Sequence, residues 1–222
     1  MRQVPETESL TDPLVTAEAA LAARPNDVQL RGQFGGLLLS IGQADRAIEV
    51  FREGLDQTTD DAGLLFGLSH AYARAGRGAE ALDAAERAAA LMPDDFHAQM
   101  HLSYLLSAAE RLERAEAALT KAERLQSGDA RVPAMLADVL ARLGRTEEAL
   151  AAAERAVVLA PHDETSIGYR NALRDRLEAP VEAASGPETT KSVADPVLEA
   201  PPPPPPAPKP APKRGTFSFL GW

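Results

Sequence analysis

Alanine recurs in this chain at a fixed interval: Ala47, Ala81, Ala115 and Ala149 are successive steps of 34 residues. Gly42, Gly76 and Gly144 share a second register on the same step, with Glu110 in the third slot. Pro25, Pro93 and Pro161 mark a third, with Thr59 and Ser127 between them. A period of this length restricts the chain to a stack of one supersecondary unit, each copy burying the face that its neighbour leaves open.

The residue types specify the unit. Leu68 and Tyr72, like Leu136 and Leu140, are four apart on one helical face. Glycine takes the left-handed conformation that ends a first helix, and alanine allows a second helix to pack closely. Proline then blocks continuation into the next unit. Leu82, Ala85, Ala88 and Ala89 give the second helix a shallow apolar stripe, which suits close helix packing in a solenoid better than one thick core.

These residues resemble the tetratricopeptide repeat (TPR), whose pattern is W-x2-L-G-x2-Y, then A-x3-F, then P. In the first unit Phe34-Gly35 stands at the L-G site, Leu38 at the tyrosine site, and Ala47 and Phe51 match the last pair. The second follows with Leu68, Ser69, Tyr72, Ala81, Ala85 and Pro93, the third with Leu102, Ser103, Leu106, Ala115 and Leu119, and the fourth with Leu136, Ala137, Leu140, Ala149, Ala153 and Pro161. No unit has the tryptophan, and Pro133 stands near where the fourth would carry it. The resemblance implies an all-α, right-handed TPR helical solenoid. Its expected parts are a half repeat at 12–27, repeats at 28–61, 62–95, 96–129 and 130–163, and a capping helix at 164–178 in which Ile167, Leu173 and Leu177 are apolar. That makes about ten helices if each unit gives two.

Outside 12–178 the composition changes. Residues 1–11 read as a disordered N-terminus without the basic start and apolar run of a secretory signal. Twelve of the 18 prolines lie from Pro180 onward, and 179–214 reads as a disordered Pro-rich linker. Pro201 to Pro206 are consecutive, and the stretch through Pro212 would span about 37 Å as polyproline II. Residues 215–222, GTFSFLGW, then read as an aromatic docking motif through Phe217, Phe219, Leu220 and Trp222, with Lys209, Lys213 and Arg214 just before it. Docking on another protein is the first expectation for this tail and folding back into the chain's own groove the second; membrane contact comes last, because three basic groups and one aromatic cluster give only modest membrane affinity.

Several function classes drop out. Cysteine is absent, which removes disulfides, thiolate zinc sites and cysteine nucleophiles. A net charge of −10 disfavours nucleic-acid binding. The sequence contains no G-x-S-x-G, no P-loop and no H-E-x-x-H motif, and Gly32, Gly35 and Gly36 fit helix packing better than a nucleotide loop. No catalysis, cofactor or metal is expected. His97 and His101 have the i, i+4 spacing at which two imidazoles share a metal, with His70 one unit away, but no carboxylate on that face completes a set.

TPR domains bind peptides or helices along the concave surface lined by the first helix of each unit. By phase, His97, Met100, His101 and Tyr104 lie on the groove face of the third unit. A 34-residue shift adds Phe66 and His70 from the second and Met135 from the fourth. The alternative is that such apolar residues merely fill gaps between helices. Where some family members hold a chaperone carboxylate with lysine and asparagine, this chain has Gln29, Gln33, Gly36, His70 and His101, which does not match that clamp. The expected function is a non-catalytic, cytoplasmic adaptor or assembly factor that binds one or more proteins or peptides through the groove and the tethered aromatic motif. The other readings are a regulatory subunit of an enzyme complex and a peripheral membrane protein. Abundant alanine, and arginine in excess of lysine, fit a GC-rich bacterial coding bias.

Overall fold

The structure is a computed structural model and describes residues 13–58 and 60–179. Segments 1–12 and 180–222, with the tail residues Phe217, Phe219, Leu220 and Trp222, lie outside the described residues. Ten α-helices follow in chain order: α1 (Pro13–Ala23), α2 (Val28–Ser40), α3 (Ala44–Gln57), α4 (Ala62–Arg74), α5 (Gly78–Leu91), α6 (Phe96–Ala108), α7 (Leu112–Leu125), α8 (Arg131–Arg142), α9 (Thr146–Leu159) and α10 (Glu164–Glu178). Each packs chiefly on the helix before and after it, and α2 also reaches α4, so the all-α array is a solenoid built from local contacts.

The starts of the first helices repeat because one aspartate repeats. Asp27, Asp61, Asp95 and Asp163 adopt extended N-cap geometry before α2, α4, α6 and α10. Their carboxylates accept from the amides of Leu30, Leu64, Ala98 and Ser166 at 3.1, 2.8, 2.7 and 3.2 Å, satisfying donors that the first turn leaves orphaned. Asp129, the fourth on the 34-residue step, is bonded differently. It accepts from the Arg131 amide at 2.9 Å, while Pro133, which has no N–H, occupies the first turn of α8. Proline costs little there, because that turn lacks intrahelical acceptors in any case.

The first helices end on a repeated turn. Gly42, Gly76 and Gly144 have φ of 80°, 73° and 78°, and Glu110 holds the same turn at φ 56°. In all four turns the next residue's amide bonds back to a helix carbonyl: Gln43 to Leu38, Arg77 to Tyr72, Arg111 to Leu106 and Arg145 to Leu140, at 2.8–2.9 Å. Glu110 therefore adopts a left-handed conformation that a side chain disfavours by about 1–2 kcal/mol. Its carboxylate meets Arg142 at 2.8 Å, an exposed pair of small value. Glu110→Gly is expected to raise stability by about 1 kcal/mol. The check is a urea titration in which the midpoint rises while its slope is unchanged.

The core follows the period. Ala47, Ala81, Ala115 and Ala149 are fully buried, and so is the row Phe51, Ala85, Leu119 and Ala153. A small-residue row, Gly35, Ser69, Ser103 and Ala137, is buried on the first helices and lets them approach the second helices closely. Ser69 Oγ donates to the carbonyl of Ala81 on α5 at 2.7 Å.

On α6, Leu106 is buried and Leu102 is half-buried against the core. In α10, Leu173 is buried but Leu177 is 41% exposed. Leu177 lies in the last turn, where no further helix among the described residues covers it. Gly35 is filled by a neighbour as expected, whereas added Cβ atoms at Gly32 and Gly36 would meet nothing.

Candidate functional site

The first helices α4, α6 and α8 bring five of the seven groove residues into two neighbouring clusters and leave Met100 and His97 outside them. The first cluster joins α4 and α6. His70 and His101 stack with ring centroids 3.7 Å apart, and Phe66 meets both edge-on at 4.6 and 5.6 Å. His101 Nε2 lies 2.8 Å from Ser69 Oγ. The single hydroxyl proton of Ser69 already goes to Ala81, so Ser69 can only accept from His101. Neutral His101 is thereby the Nε2–H tautomer.

Electrostatics keep this cluster uncharged. Burial, and secondarily His70, push the His101 imidazole down to about 4. Burial, then the positive charge of Arg74, lowers His70. Two stacked imidazoles under these conditions behave as flat aromatic surface rather than as cations.

The second cluster lies between α6 and α8. Tyr104 is 60% exposed and stands over an open cleft of about 480 Å³ lined by Met135, Ala134, Val139, Asp138, Ser107 and Arg142. Arg142 fixes its wall. The guanidinium donates to the Ser107 carbonyl at 2.8 Å and pairs with Glu110 at 2.8 Å and Asp138 at 3.3 Å. Asp138 and Ala134 also line a smaller cleft of about 190 Å³ that runs towards Tyr169 and Ser166 of α10. Burial raises the Tyr169 phenol above its usual range, with the charge of Asp138 adding to it.

Met100 is half-buried and packed against the core, so it supports the face more than it lines it. His97 stands apart, exposed and edge-on to Phe96 at 5.4 Å. His101 is turned towards Ser69. Among the described residues no three His, Asp or Glu side chains form a group able to hold a metal ion.

Ser107, Arg142 and Tyr169 border the same surface and buried Ser69 lies beneath it, but none of the four is in the expected site. Their signal is faint: Ser69 lies in the buried small-residue row, and Ser107 and Arg142 sit one residue apart in phase, so their bond depends on how α6 and α8 are set against each other. Spacing alone does not carry that information.

Tetratricopeptide-repeat models match residues 38–103 and 102–164. The chain is a tetratricopeptide-repeat protein. Together the two matches cover the units that hold both clusters. Among solved structures, the TPR fold aligns with MamA at 22% identity and a TM-score of 0.63, covering 68% of this chain and 89% of that one. It aligns with YrrB, a TPR protein with an unusual peptide-binding site, at 20% identity and a TM-score of 0.67, covering 76% and 87%. TTC0263, a thermophilic TPR protein of Thermus thermophilus, aligns at 24% identity and a TM-score of 0.55, covering 72% and 89%. No curated protein matches the chain in sequence. Among the described residues, no helix of this TPR protein is long and apolar enough to cross a membrane.

Proposed function

We propose that this protein is a non-catalytic interaction scaffold that holds a protein or peptide partner in the groove formed by α4, α6 and α8. The observation that carries this reading is Tyr104. A large aromatic side chain left 60% exposed over an apolar cleft lowers its free energy by burying that surface against a partner. The neutral His70–His101 stack beside it extends the same flat surface. YrrB, similar in fold, is described as having a peptide-binding site, which supports a peptide as the occupant.

The C-terminal residues Phe217, Phe219, Leu220 and Trp222 form the second element of this reading. They engage the same partner or complex beyond a proline-rich spacer, and the tether raises the local concentration of one site once the other is bound. A photo-crosslinking amino acid placed at Tyr104 tests the groove, with the same group at exposed Glu113 of α7 as control. Adducts to a discrete partner form from position 104 and not from 113, and deleting residues 215–222 lowers their yield. Equal labelling from both positions, or none from 104, would overturn the groove reading. A yield unchanged by the deletion would remove the tail from it.

A further inference from the structure

Charge is sorted between the two sets of helices. The first helices α2, α4, α6 and α8 carry one carboxylate, Asp138, against four arginines. The second helices α3, α5, α7 and α9 carry thirteen carboxylates against seven basic residues. In a chain of net charge −10, the groove helices are thus the ones depleted of acid.

Three of these four arginines are already committed. Arg31 is buried on Glu53 and the Pro25 carbonyl, Arg131 is paired with Asp129, and Arg142 with Glu110 and Asp138. Arg74 differs. It is exposed in the last turn of α4, makes no ion pair among the described residues, and stands close enough to His70 to lower it. One and two units along the same 34-residue register stand Ala108, exposed and small, and Arg142. Ala108 also lines the Tyr104–Met135 cleft, so the surface between Arg74 and that cleft carries no bulky side chain at this register.

Resting on the groove reading above, we propose that the occupant is an acidic peptide segment of another protein. Its carboxylate pairs with Arg74 and a neighbouring apolar side chain enters the cleft beneath Tyr104. The match is one of complementary charge: Arg74 has no intramolecular anion among the described residues, and the single groove carboxylate is held by Arg142. A basic segment would find no free anion there and would bring its charge against Arg74.

The test is selection of a random twelve-residue peptide display library on the full-length chain, keeping binders lost on Tyr104→Ala. Those binders are expected to be enriched in Asp and Glu next to Leu, Phe or Met. Arg74→Glu is expected to weaken synthetic copies of them by about tenfold or more, the loss of one charge-assisted pair. Arg87→Glu on α5 is the control for a general change of charge. Tyr104-dependent binders without acid enrichment, or binders indifferent to Arg74→Glu, would overturn this inference and leave the groove reading standing. Binders rich in Lys or Arg beside aromatics, the composition of residues 209–222, would overturn it in favour of a tail-like occupant. A selection yielding no Tyr104-dependent binders would overturn both.

Discussion

Phe51→Ala lowers the free energy of unfolding by about 3–5 kcal/mol, the range for emptying a buried aromatic site. The Phe51 side chain is 2% exposed and its ring lies against the backbones of two first helices. A Cβ added at Gly35 of α2 or at Gly67 of α4 would come within 2.5 Å of the ring. The ring is thus a wedge on α3 that sets the spacing of the helices before and after it. The glycines are needed because of the wedge, not because of their backbone conformation. Gly67→Ala in the native background forces the ring to move and is expected to cost about 1–3 kcal/mol, less the gain of roughly 1 kcal/mol in helix propensity. With Phe51→Ala already present, the same change fills vacated space and is expected to be neutral or stabilising. Urea unfolding of both single variants and the double variant supplies the cycle. Strict additivity would show that the ring and the glycine do not constrain each other.

Acid weakens the fold through His101. In the folded protein this imidazole is held down to about 4, while in the unfolded chain it titrates near its ordinary value of 6.5. Well above pH 6.5 neither state is protonated and the group makes no pH-dependent contribution. As pH falls from 6.5 towards 4, the unfolded state takes up a proton that the folded state refuses, so stability decreases. Below 4 both states bind it and this loss levels off. Fully expressed, the loss is about 3 kcal/mol as an upper bound. His70, lowered by burial and by Arg74, adds in the same direction. His101→Gln keeps an N–H donor for Ser69 and takes no proton, so its stability profile is expected to be flatter across this window. Parallel profiles for the two proteins would show that the stacked imidazoles are not the acid-sensitive element.

A partner that buries the same stack deepens the aversion to charge at His101 and His70, and a partner carboxylate on Arg74 counters it. The pH dependence of binding therefore reports which contact dominates. Affinity that falls on acidification marks the stack as the main contact, and affinity that holds steady marks a compensating anion.

Most of the architecture is legible along the chain because a solenoid is made of local contacts. A helix, a left-handed turn, a second helix and a break all lie within one 34-residue step. Their determinants, such as Gly76, Ala81 and Pro93, act on residues a few positions away. The exception at Glu110 is legible too, since the repeat places a left-handed turn there whatever residue fills it. The aspartate series from Asp27 to Asp163 lies on the same step and marks the start of the first helices as clearly as glycine marks their ends.

The site is less legible because phase places a residue on a face without saying what it touches there. Phe66, His70, His101, Tyr104 and Met135 share a face by counting alone. Counting does not show that Ser69 turns the His101 imidazole inward, that His97 is left outside on Phe96, or that Arg142 crosses from α8 to Ser107. The Ser69–His101 and Ser107–Arg142 contacts join residues of different helices, and His97 rests on its own chain neighbour Phe96. Helix register is written in the period of apolar and small residues. Side-chain direction and the pairing of charges across units arise only when neighbouring units pack and rotamers, hydrogen bonds and burial are chosen together, which is why Arg74 stands without an ion pair among the described residues while its counterpart Arg142 is held on both sides.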